Sequence, residues 1–189
     1  YQPINTSTFN IYQKVKAKSI QGNSPEQIRI ALAQSISDGF TPTLAFVFIS
    51  IKQDRQAVCT MLNEMGIHII GATSSGEFIN GHQSEGDAVI MLLDIPREDY
   101  RVVFETIGDR SADLTARHLG KVALRTFNKP SIIFCSTFFS AEGVILDGET
   151  LMRNLESVLG AQVNIFGGMA GDDLTFTGSY VFTNNESTD

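Results

Sequence analysis

Ile67–Glu77 (IHIIGATSSGE) and Val163–Asp173 (VNIFGGMAGDD) follow one plan: a short apolar strand, then a turn dense in small residues that closes on an acid. Reading outward from the first, Val58, Met61, Leu62 and Met65 recur at helical spacing before the stop at Gly66, and Leu44–Ile51 (LAFVFISI) reads as a fully buried strand. Further out, Ser24-Pro25-Glu26 is an N-cap with proline at the first helical position, ahead of Ile28, Ala31, Leu32, Ser35 and Ile36. Tyr12–Ser19 alternates as an edge strand, with Lys14, Lys16 and Lys18 on one face. On the far side, Ala88–Leu93 forms another buried strand, closed by Pro96.

The same order returns around the second stretch. Tyr100–Ile107 reads as a strand, Ser111 starts a helix, Ile132–Ser136 is a buried strand, Glu149–Leu159 a helix, and Ser179–Thr183 a closing strand. Tyr12 aligns with Tyr100, Ser24 with Ser111 and Leu44 with Ile132, at an offset of 87 to 88; Ile67 with Val163 and Gly71 with Gly167 stand 96 apart. The change places an insertion in Thr137–Asp147 of the second copy. The expectation is an α/β (mixed α+β) protein made of two tandem β-α-β-α-β-β repeats, residues 12–96 and 100–185. They pack with pseudo-twofold symmetry as mixed sheets flanked by helices.

Bulk properties exclude several functions. The chain has 189 residues, 42% of them hydrophobic, enough for one core, and a net charge of −7, the wrong sign for a general nucleic-acid binder. No apolar run approaches the roughly 20 residues of a membrane span. Cys59 and Cys135 have no CxxC spacing and read as reduced, buried thiols of a cytoplasmic protein. His68, His82 and His118 lie in different elements, without metal-ligand spacing, and no cofactor is expected.

The two turns hold the candidate ligand-binding residues: Thr73, Ser74, Ser75, Gly76 and Glu77 in the first, Gly167, Gly168, Gly171, Asp172 and Asp173 in the second. Carboxylates hold an ammonium group, while hydroxyls and glycine N–H groups hold a carboxylate, so the set suits a small polar or zwitterionic ligand at strand carboxyl ends. P-loop, GxGxxG and G-x-S-x-G patterns are all missing. A hydrolase using Ser74, Ser75 or Cys135 would need a base within hydrogen-bond reach. A docking scaffold would use the apolar loop 138–146, with Phe138, Phe139, Val144 and Ile145, together with the Lys14–Lys18 edge; the same loop is also a candidate lid.

In Leu44–Ile51, Ile69–Glu77 and Ile165–Asp173 the sequence resembles the N-terminal domain of the FIST family, over roughly residues 20–185. The resemblance implies a single FIST N-like domain across 1–189, an intracellular sensory module of prokaryotic signalling proteins whose suggested ligands are amino acids or their derivatives. It also implies partners in cis or trans: a C-terminal FIST domain, absent from this chain, and outputs such as histidine kinases, chemotaxis receptors or cyclic-dinucleotide enzymes.

Overall fold

In a computed structural model, residues 15–108, 110–140 and 142–188 are described. Tyr12 and Lys14 lie outside them; the described part of the first strand is β1, Lys16–Gly22. It leads to α1 (Pro25–Ile36), whose first turn is closed by the Ser24 side chain accepting from the Gln27 N–H, as the Ser-Pro-Glu signal requires. Next come β2 (Leu44–Ser50), α2 (Arg55–Glu64) and β3 (His68–Ser74). A hairpin, β4 (Glu77–Ile79) and β5 (His82–Ser84), precedes β6 (Ala88–Asp94). The second half supplies α3 (Ala112–Thr126), β7 (Ile132–Ser136), α4 (Gly148–Leu159), β8 (Ile165–Met169), β9 (Val181–Phe182) and β10 (Ser187–Thr188).

The main sheet is mixed and six-stranded, in the order β1-β6-β2-β3-β9-β10. Its centre is the parallel pair β2–β3, running from Leu44↔His68 to Ser50↔Ser74, so both strands end together at two serines. One face of β2 (Ala45, Val47, Ile49) joins Ile69, Ile90 and Leu92 in a core with Ile28 and Leu32 of α1 and Val58 and Leu62 of α2, each 2% exposed or less. A separate parallel pair, β7–β8, lies with α3 and α4 around a smaller core of Ala116, Leu151, Leu155 and Leu159. Gly120 lets the two helices close up: a Cβ there would stand 3.0 Å from the Val158 side chain.

Three expectations need correction. Residues 100–107 form no strand; Val102, Phe104 and Ile107 are half-buried while Arg101, Val103 and Thr106 are exposed, and such a pattern reports burial rather than pairing. The first turn starts later than read, because Gly71–Ser74 continues β3 and only Ser75 and Gly76 turn the chain into β4. Likewise Gly167–Met169 belongs to β8, and the loop proper begins at Ala170. The halves also differ in pairing: β9 runs antiparallel to β3, not beside β8.

Candidate functional site

The loops after β3 and β8 meet at the carboxyl ends of β2 and β3. Thr73, buried in β3, accepts the Gly171 N–H on its carbonyl at 2.8 Å, and the Ser75 hydroxyl accepts the Asp173 N–H at 3.0 Å. Asp173 in turn accepts from the buried Ser50 hydroxyl at the end of β2 and lies 3.8 Å from the Lys52 ammonium. The contact is too close for more bulk: a Cβ on Gly171 would sit 2.4 Å from Ser75 Oγ.

Glu77 is the deepest charged group here, 1% exposed. Its carboxylate accepts from Ser74 Oγ at 2.7 Å and from the Asp87 N–H at 3.2 Å. Burial pushes its pKa up, the two hydrogen bonds pull it back, and the charges of Asp173 and Asp87 raise it further. Among the described residues, the three carboxylates Glu77, Asp87 and Asp173 thus gather here, and they outnumber Lys52, the cation that pairs with one of them.

The remaining predicted residues divide. Thr73 is structural: its hydroxyl accepts the Tyr180 N–H at 2.8 Å, which locks the approach to β9. Asp172 turns away from the junction and holds its own loop, accepting from the Thr177 N–H at 2.9 Å and Thr175 Oγ1 at 3.2 Å. That loop carries three non-glycine residues in the left-handed region, Asp173, Leu174 and Phe176, at φ of 54°, 59° and 55°. Such backbone is kept only where its surroundings over-determine it. Gly76 (φ 111°) makes the tight turn between β3 and β4. Gly167 and Gly168 stay in β8, away from the junction, and the Gly171 N–H is spent on Thr73.

Sequence reading missed Ser50, Lys52 and Asp87. A serine closing an apolar run two residues before a lysine was the available signal for the first two; nothing local marks Asp87.

The nucleophile candidates fare unequally. Ser74 does have an acid within reach, its hydroxyl donating to Glu77 at 2.7 Å; that acid is buried, and its other oxygen accepts from the Asp87 N–H. His68 opens β3, at the opposite end from Ser74, where its ring meets Arg97 at 2.8 Å and Tyr100 at 3.1 Å. Burial pushes the Cys135 thiol up, and the Cys59 thiol to about 11, which keeps both thiols protonated at neutral pH. The apolar loop 138–146 forms a small hairpin through Phe139 and Ile145, and Val144 and Ile145 point to solvent at 62% and 65% exposure.

A separate cleft of about 560 Å³ opens between the second face of the main sheet, at Leu44, Phe46 and Ile70, and a wall built from residues 100–108, α3 and β7. None of the ten predicted ligand residues lines it.

The FIST N domain family model matches residues 43–189, which takes in both loops, the β2–β3 pair and the α3–α4 unit. The chain belongs to the FIST N domain family. FIST domains are sensory domains of signal transduction. No curated protein and no solved structure matches the chain. Among the described residues, this FIST N domain has no helix long and apolar enough to cross a membrane, and no cluster of three or more His, Cys, Asp and Glu placed to hold a metal ion.

Proposed function

We propose that this FIST N domain is the input module of a prokaryotic, cytoplasmic signalling protein and binds an amino acid or a related small polar metabolite where its two loops meet. The observation that carries this reading is the gathering of Glu77, Asp87 and Asp173 at the carboxyl ends of β2 and β3, with Lys52 as the facing cation. A ligand ammonium is complementary to that deficit of positive charge. Ser74, Ser75 and the nearby backbone would take its polar remainder, with Gly76, Gly171 and Asp172 shaping the loops and Gly167 and Gly168 holding the strand from which the second loop leaves. Thr73 sets their spacing.

A sensor also needs a second state. An ammonium competing for Asp173 would loosen the contacts from Ser50 and Lys52, and these are what tie the strained loop 173–176 to β2. We infer that the two loops descend from a duplication, and that the downstream partners are a C-terminal FIST domain and output domains in cis or trans.

A thermal-shift screen against amino acids tests the reading. A ligand at a hundred times its dissociation constant raises the midpoint by about 5 °C or more, and Asp173→Asn or Glu77→Gln abolishes the rise. Unchanged midpoints across the panel would overturn it.

A further inference from the structure

We propose that the cleft between the main sheet and the α3–β7 wall is a second binding site, for an uncharged, largely apolar small molecule that carries a hydrogen-bonding group. Its volume, about 560 Å³, falls within the range of small-molecule sites. Phe46 and Ile70 of the sheet face Leu119, Val122 and Phe134 across it.

Apolar lining alone would describe an unfilled gap, and two hydroxyls make it more than that. Thr115 and Ser136, 3% and 7% exposed, both line the cleft, and neither side-chain oxygen has a hydrogen-bond partner among the described residues. Buried hydroxyls are nearly always paired, so two orphans on one cavity wall mark the places where a ligand's polar atoms belong. The hydroxyls can donate or accept, which suits an alcohol, phenol or amide.

Charge sets the class. The ionisable groups of the lining cancel, Asp99 and Glu105 against Arg101 and Lys129, and Glu105 is already held by Arg110 at 3.4 Å and His118 at 3.2 Å. A neutral ligand is therefore favoured over an ionic one. The site shares no residue with the loop junction, so this inference stands or falls apart from the one above.

The test uses the whole chain and the neutral fluorophore N-phenyl-1-naphthylamine. Saturable binding to one site is expected, displaced by benzyl alcohol about fivefold more effectively than by toluene, the difference of one net hydrogen bond. In a Thr115→Val/Ser136→Ala variant, which keeps the cleft's shape and folds because it removes two orphans, that preference disappears. Ala123→Trp, which fills the cleft, prevents probe binding, whereas Glu77→Gln leaves it unchanged. Equal displacement by the two competitors would show that water alone serves the hydroxyls and overturn the proposal. So would non-saturable probe binding, or binding that survives Ala123→Trp.

Discussion

Gly71–Glu77 and Gly167–Asp173 look alike in composition and stand at matching places in the chain, yet they do opposite structural work. The first is interior: Gly71, Ala72 and Thr73 are buried in the middle of the six-stranded sheet, and Glu77 is sealed beneath it. The second is peripheral: Gly167, Gly168 and Met169 are exposed along β8, and only Ala170 and Asp172 are buried. Even the leading glycines answer different needs. Gly71 makes room for the Phe182 ring, whose nearest atom would lie 2.2 Å from a Cβ; Gly167 makes room for the Phe134 carbonyl, 1.7 Å from a Cβ, at a φ of 151°. Small residues announce close approach without saying what approaches.

The largest expected effect separates these two glycines. Gly167→Ala meets rigid backbone in an unfavourable conformation and should cost about 3 kcal/mol or more in urea denaturation. Gly71→Ala meets the buried Phe182 ring, a side chain rather than backbone, and overpacks the core at about 1–3 kcal/mol. Equal costs, or a reversed order, would break the distinction between a backbone contact and a ring contact.

Much of the fold was readable because the signals were local. Ser24, Asp54, Ser111 and Asp147 each cap a helix through their own side chain, and the run Leu44–Ser50 is apolar because both faces of β2 are covered along most of its length. Non-local pairing was not readable. Nothing in Tyr100–Ile107 distinguishes an extended segment with one wet side from a paired strand, and nothing in Val181–Phe182 names β3 as its neighbour. For the same reason the two loops could be proposed as candidates but not joined; the joints, Ser75 to Asp173 and Thr73 to Gly171, span about a hundred residues.

Two smaller effects sharpen the contrast between the acids. Asp172 holds its own strained loop, so Asp172→Ala should cost about 1–2 kcal/mol through the lost bonds to Thr177 and Thr175. It should also raise protease susceptibility near Leu174, with the β2–β3 core intact.

Glu77 is tested by pH. Its folded pKa is raised, so the stability it contributes is fully present below the ordinary glutamate value of about 4.3 and is lost as pH rises through the native value. Wild type should therefore lose stability relative to Glu77→Gln between mildly acidic and neutral pH. A relative gain would place a stabilising cation on Glu77 and contradict the charge deficit. Lys52→Ala, which removes an exposed partner 3.8 Å from Asp173, should change stability by less than about 0.5 kcal/mol. A cost well above that would make Lys52 a structural counter-ion, with no vacancy left for an ammonium ligand.

The central claim, that the two loops together form a sensing site, is tested most directly by titrating the ¹⁵N-labelled chain with amino acids and following its backbone amide resonances. The account predicts saturable shifts in Ser74–Glu77 and in Gly171–Asp173 at the same ligand concentration, extending to Ser50 and Leu174. Shifts confined to one loop, shifts confined to the cleft lined by Phe46, Ile70 and Thr115, or a spectrum unchanged at saturating ligand would contradict it.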